Sequence, residues 1–220
     1  MKRKLILTAL LLGAVPLAAH ATDGGSGSSR SGGAQSGLFV HATFGKSSFN
    51  IDRNVQKDTH GRYGNALIGY RWAVADQFAL GAEGGYAWLG HLGHRQYLPI
   101  AGSKNKALYT RDLDLRAYLL GGTFKWHIAD QLSLVAHGGV AWNQARQRDR
   151  LIGPGLLRKS WVNASNTRPY FGVSLGYAVL PKLTLSIDAT RYFANRVNYT
   201  DGRTQLLAVN TVGVGAEYAF

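Results

Sequence analysis

The sequence predicts an all-β protein: an eight-stranded antiparallel up-and-down transmembrane β-barrel. Three observations predict it. Eight segments alternate apolar and polar residues over lengths that suit strands, short links alternate with long ones, and aromatic residues collect toward the segment ends. The mean hydropathy is near zero. A barrel accounts for this, because only alternate residues of each strand meet lipid and the rest face a polar lumen.

The first 36 residues stand apart. Lys2, Arg3 and Lys4 precede an apolar run from Leu5 to Ala18, and Ala19-His20-Ala21 follows as a small-x-small site. This is the pattern of a secretory signal over residues 1–21, and the run is too short to span a bilayer comfortably. Residues 22–36 are mostly Gly, Ser and Ala, a composition that buries no core and reads as a flexible leader. The barrel is expected over residues 37–220.

The strands follow in order. The first is Gly37–Phe49, with Leu38, Val40, Ala42 and Phe44 on one side. Gly61–Val74 carries Ala66, Ile68, Tyr70 and Trp72, and Phe78–Gly90 carries Leu80, Ala82, Tyr86 and Trp88. Leu108–Ile128 presents Tyr118, Leu120, Phe124 and Trp126; Leu132–Gln147 presents Leu134, Ala136, Val140 and Trp142. Asn166–Leu180, Leu183–Asn195 and Thr204–Phe220 repeat the alternation through Phe171 to Val179, Leu183 to Phe193 and Val212 to Phe220. The opposite faces hold Gly, Ser, Thr, Asn, His and isolated charges.

Alternation alone does not say which face looks outward. The links decide it. Val74–Gln77, Ala129–Gln131 and Leu180–Lys182 are tight, whereas the links near residues 50–60, 91–107, 148–162 and 196–203 are long. Periplasmic turns and extracellular loops of outer-membrane barrels alternate in this way. The expected location is the outer membrane of a Gram-negative bacterium.

With these residues in place, the chain resembles the OmpA-type outer-membrane domain. Ile68-Gly69-Tyr70 and then Phe78 through Gly90 resemble its second and third strands. Asp130-Gln131-Leu132 with Gly138-Gly139 and Trp142 resembles the fifth. Gly176-Tyr177-Ala178-Val179 with Pro181 resembles the sixth and its turn, and Val212 to Phe220 the last. The resemblance implies that Tyr218 and Phe220 form the signal read by the barrel-assembly machinery. It also implies an inward glutamate at Glu83. The basic partners such a glutamate has in some family members are replaced here by Thr123 and Ser186, and, with the sequence stopping at Phe220, the anchoring role of the family's peptidoglycan-binding domain is expected to be absent.

Strand parity places His41, Thr43, Asn65, Arg71, Glu83, Lys125, His137, Asp188 and Glu217 in the lumen. A charge inside a narrow barrel needs a partner or water. Arg71 and Lys125 are expected to meet acids at the periplasmic end, and Glu83, His137 and Asp188 to meet near the middle. The result is a polar plug, or alternatively a narrow pore for ions or small solutes. On paper, His41 or His137 with Asp188 and Ser133 or Ser186 makes a Ser–His–Asp set, but such a set is defined by geometry, so no catalytic residue is assigned and a lipid A-modifying enzyme ranks third. With no Cys and only His91 and His94 closely spaced, no metal or other cofactor is expected.

The formal charge is +13, or +10 once the signal is removed. The excess collects at the long-loop end. Arg95, Arg146, Arg148, Arg150, Arg158 and Lys159 are candidates for contact with lipopolysaccharide phosphates, which Arg forks pair well with. A nucleic-acid partner is not expected, since no binding module is visible. The chain is expected to be monomeric and non-enzymatic, with a structural or surface-interaction role; adhesion to another anionic polymer is the runner-up for the basic belt.

Overall fold

The computed structural model describes residues 33–50, 60–99, 106–153, 156–197 and 204–220. The expected signal peptide and most of the leader lie outside the described residues. Eight strands run in chain order: β1 Gly37–Phe49, β2 His60–Ala75, β3 Phe78–Pro99, β4 Lys106–His127, β5 Leu132–Gly153, β6 Leu156–Leu180, β7 Leu183–Val197 and β8 Thr204–Ala219. Each pairs antiparallel with the next, and β1 pairs with β8 from Phe39↔Ala219 to Phe49↔Val209, which closes the barrel. Closure leaves no open edge in the wall, as hydrocarbon requires.

The short-turn end is knitted by backbone hydrogen bonds between neighbouring hairpins. His127 N donates to Gln77 O, Ala178 N to Gln131 O and Ala219 N to Lys182 O, at 2.8, 2.8 and 2.9 Å. Aromatic rings gather here on the outer face: Phe78 stacks between Phe124 and Trp126, Tyr70 leans on Trp72, and Tyr218 meets Phe220 edge-on. At the other boundary Tyr86, Tyr118 and Trp142 share one cross-strand row. Between the two girdles the outer face is apolar and unburied; Val214, for example, is 67 % exposed. The period of two therefore turns its apolar side outward, toward lipid.

The strands differ from the sequence expectation in length. Segments assigned to the two longest links are mostly strand. The β2–β3 pairing ends at Gly64↔Trp88 and the β6–β7 pairing at Tyr170↔Tyr192. Beyond those points β3 to β6 continue together as far as Pro99↔Lys106 and Gly153↔Leu156, a four-stranded sheet rising past the barrel wall. It starts at a bulge between Trp88 and Gly90, where Gly90 has φ +125°, a conformation open to Gly and strained for other residues. In this extension the alternation inverts. Leu89, Leu92, Leu113 and Leu115 point inward and are buried, while Asp112, Asp114 and Arg116 point out. A segment in water has no reason to keep its apolar side outward, and that inversion is what makes it read as a loop.

Candidate functional site

Two places carry the polar chemistry: the lumen and the outer face of the protruding sheet. The lumen is tiered. Nearest the short turns, Glu217 Oε1 accepts from Arg71 Nη1 at 2.6 Å and from Lys125 Nζ at 2.8 Å. The Arg71 guanidinium also lies over the Phe39 ring, 3.8 Å from its centre. Phe39, Arg71 and Glu217 converge because β1, β2 and β8 are neighbours in the closed sheet.

The middle tier holds two separate acid–histidine pairs. Glu83 Oε1 lies 3.2 Å from His137 Nδ1 and accepts a hydrogen bond from Tyr170 OH at 3.0 Å. Asp188 Oδ2 lies 3.4 Å from His41 Nε2 and accepts from Thr43 Oγ1 at 2.7 Å and Ser186 Oγ at 3.1 Å. The expected meeting of Glu83, His137 and Asp188 is thus divided: Asp188, on β7, belongs with His41 across the β8–β1 closure. Gly215, in register with Ser186 on one side and Thr43 on the other, lies between the two strands that carry them, and a Cβ there would run into Asp188, His41 and Ser186.

The serine set does not assemble as a triad. Ser186 Oγ and Asp188 Oδ2 both approach the same nitrogen, His41 Nε2. A triad needs nucleophile and acid on opposite nitrogens. Thr190 Oγ1 at 3.3 Å from His137 Nε2, with Glu83 on Nδ1, has that connectivity. The cavity beside Glu83 and His137, however, measures about 20 Å³. That is room for about one water and not for a substrate. Among the described residues no cluster of His, Cys, Asp or Glu could hold a metal ion.

Above this tier Tyr63 and Tyr192 share a hydroxyl hydrogen bond at 2.9 Å, Asn65 Nδ2 donates to Tyr63 OH at 2.7 Å, and Tyr192 stacks on Tyr170. Over these rings the lumen turns apolar, filled by Phe49, Leu89, Leu92, Leu115, Leu207 and Val209. The sequence expectation of polar residues throughout the interior is corrected here. The inward Leu run of β4, at positions 113, 115 and 119, was the available signal.

The outer face of the protruding sheet is built from cross-strand rows. Above the aromatic row Tyr86–Tyr118–Trp142 come Trp88–Arg116–Gln144–Ser165, then His91–Asp114–Arg146–Asn163, then Gly93–Asp112–Arg148–Trp161, then Arg95–Thr110–Arg150–Lys159. Five of the six lipopolysaccharide candidates, Arg95, Arg146, Arg148, Arg150 and Lys159, therefore share this face. Arg158 does not: its register with Leu151 puts it on the inner side. Arg116 belongs to the face and was missed, although its parity with Tyr118 places it there. Asp114 accepts from Trp88 Nε1 at 3.3 Å and lies 3.6 Å from Arg116. Arg146, Arg148 and Arg150 have no carboxylate partner among the described residues. A groove of about 310 Å³ runs between Asp114, Arg116, Gln144, Arg146, Asn163 and Ser165.

On the inner side Arg111 Nε donates to Asp149 Oδ1 at 3.0 Å, and Gln147 Nε2 donates to both Asp149 oxygens. Burial pushes the neighbouring Tyr109 phenol above its ordinary range, with the Arg111 guanidinium pulling the other way.

Height separates the rows. At about 3.3 Å per residue and a tilt near 40°, each residue climbs about 2.5 Å along the membrane normal. Taking Trp142 as the hydrocarbon boundary, Gln144 lies about 5 Å above it, Arg146 about 10 Å and Arg150 about 20 Å. The headgroup layer is only about 5–8 Å thick on each side.

A family model described as outer membrane protein beta-barrel domain matches residues 7–220. Among solved structures, Ail, the attachment invasion locus protein of Yersinia pestis, has a TM-score of 0.52 and 15% identity, covering 84% of this chain and 100% of that one. Ail in complex with the heparin analogue sucrose octasulfate gives 0.50 and 14%, covering 85% and 100%. No curated protein matches. The likeness at these identities is one of fold: a small eight-stranded outer-membrane barrel, without singling out the OmpA-type domain.

Proposed function

Because this chain belongs to the outer membrane protein beta-barrel domain family, we propose that it is a non-enzymatic, monomeric barrel of the Gram-negative outer membrane, with a sealed lumen and a sheet that grips the anionic outer leaflet. Residues 1–21 are read as its cleaved secretory signal, and Tyr218 and Phe220, on the OmpA-type resemblance, as its signal to the assembly machinery. The observation that carries the reading is the groove between Arg116 and Arg146, which opens above Trp142 and reaches from the headgroup layer at Arg116, about 5 Å up, to just past it at Arg146, about 10 Å up. Two guanidiniums there suit a phosphate, while Gln144, Asn163, Ser165 and the Asp114 carboxylate suit sugar hydroxyls and amides. Acyl chains below would run over Tyr118, Leu120 and Val140. The heparin-analogue complex concerns the Yersinia protein; for this chain the anion reading stands on these side chains. The apolar upper lumen supports a plug over a pore.

The test compares binding of purified lipopolysaccharide, intact and dephosphorylated, to the protein in phosphatidylcholine nanodiscs. Arg116→Gln with Arg146→Gln is expected to weaken binding of the intact form by about tenfold or more, two charged contacts each being worth about 1 kcal/mol or more. Arg150→Gln is expected to change it little. Unchanged binding by the double variant, or equal binding of the dephosphorylated form, rejects the reading.

A further inference from the structure

The wall closes between its first and last strands, and alternation alone does not fix where. The outer face of β1 carries Leu38, Val40, Ala42 and Phe44, and that of β8 carries Val212, Val214, Ala216 and Tyr218. A slip of one residue would turn one of these sets into the lumen. A slip of two keeps every apolar residue outside. Lipid therefore does not distinguish the observed register, Ala42↔Ala216, from its neighbours at Val214 and Tyr218.

Inside, hydrogen bonds cross this seam by skipping strands. At the lowest tier Glu217 of β8 reaches over β1 to Arg71 of β2, 2.6 Å away. In the middle, Asp188 and Ser186 of β7 reach over β8 to β1. Thr43 Oγ1 lies 2.7 Å from Asp188 Oδ2, and His41 Nε2 lies 3.3 Å from Ser186 Oγ. Above them Tyr192 of β7 meets Tyr63 of β2 over both seam strands, at 2.9 Å. Gly213 and Gly215 of β8 leave room for the middle contacts; a Cβ at Gly213 would press on Thr43. A two-residue slip shifts β1 along β8 by about 7 Å. With the side chains as they stand, every donor would then lie at least about 4 Å from its acceptor, outside hydrogen-bond range. We infer that these contacts at three heights select and hold the register in which the barrel closes, a lock on the seam that the lipid-facing wall does not supply.

The experiment reads the register by disulfide capture, since the chain has no Cys of its own. Directly paired positions lie within disulfide reach, whereas positions two residues off, about 7–8 Å apart, do not. The full mature protein in lipid vesicles carries Ala42→Cys together with Ala216→Cys, Val214→Cys or Tyr218→Cys. Copper phenanthroline oxidises the thiols, and mass spectrometry counts the cross-linked peptides. The barrel with its seam contacts intact is expected to capture the Ala216 position almost alone. Asp188→Ala with Tyr192→Phe should raise capture at the Val214 or Tyr218 position about tenfold or more, as expected for two buried hydrogen-bonding groups lost. Thr43→Val with Tyr192→Phe is a milder second variant that keeps the side-chain shapes. Tyr170→Phe with Thr190→Val removes contacts to Glu83 and His137 that do not cross the seam, and should leave the capture pattern unchanged. Heat-modifiable migration on gels checks that each variant folds. Displaced capture that stays at its starting level in both seam variants overturns the inference. So does an equal rise in the Tyr170 and Thr190 variant, or displaced capture already abundant with all contacts in place.

Discussion

Glu217→Gln is the sharpest perturbation of the lumen. One carboxylate oxygen serves both Arg71 and Lys125, and all three side chains are nearly buried, at 7, 9 and 12 % side-chain exposure for Arg71, Glu217 and Lys125. Removing the acid leaves two cations whose nitrogens lie 2.6 and 2.8 Å from the same oxygen position; for a separation of about 5 Å and an effective dielectric near 20 their repulsion is about 3 kcal/mol. The glutamine amide oxygen still accepts one hydrogen bond, which offsets about 1 kcal/mol, but the attraction between the ions is lost. Breaking a buried ion pair from one side generally costs about 3–5 kcal/mol, and this site falls in that range. Adding Lys125→Met to Glu217→Gln removes the excess charge and should recover about 2–3 kcal/mol, a coupling a double-mutant cycle resolves. The assay is equilibrium urea unfolding of the protein folded into lipid vesicles, repeated at high salt, which should leave a buried cluster largely unaffected. A Glu217→Gln loss below about 1 kcal/mol, or no recovery with Lys125→Met, would show that these charges sit in bulk-like water and refute the sealed lumen.

Three further outcomes follow from the same geometry. Gly215→Ala should destabilise by about 1–3 kcal/mol in the same unfolding assay, because the added methyl meets Asp188 and His41; wild-type stability would contradict that packing. Tyr192→Phe should cost about 1–2 kcal/mol by leaving the buried Tyr63 hydroxyl short of a partner, and a neutral result would mean water replaces it. Planar bilayers containing the protein should show no ion conductance, since Leu89, Leu115 and Val209 fill the lumen above the Tyr63–Tyr192 pair; reproducible open channels would contradict it.

Much of the wall was legible in the sequence. In lipid, every second residue must be apolar, so the faces carrying Ile68, Leu120, Val173 and Val214 declare themselves. The same parity puts Arg71, Lys125 and Glu217 inside, and the structure brings them together. What parity cannot give is which strands meet across the closed cylinder. Asp188 pairs with His41 because β1 closes on β8 in one particular register, and no local pattern near either residue encodes that register. The outer ends of β3, β5 and β6 in the protruding sheet were read as links for a different reason. Past Trp88 and Trp142 the lipid constraint ends, and apolar residues such as Leu92 and Leu113 change to the inner face while Asp112 and Arg148 take the outer one. Reading 148–162 as a link also hid that Arg158 faces away from Arg150, whereas Arg116, inside the segment assigned to the fourth strand, was missed although its parity sets it beside Arg146.

The central claim is that the apolar faces look at hydrocarbon and that β5 carries its arginines out of the membrane at graded heights. The chain has no Cys, so single labels can be placed cleanly. Spin labels at Val140→Cys, Gln144→Cys, Arg146→Cys and Arg150→Cys, in bilayers with oxygen and a nickel chelate as competing relaxants, read depth directly. The account predicts oxygen-dominated relaxation at Val140, a crossover between Gln144 and Arg146, and nickel-dominated relaxation at Arg150. A Val140 label shielded from both relaxants, or an Arg150 label as rich in oxygen contact as Val140, contradicts it.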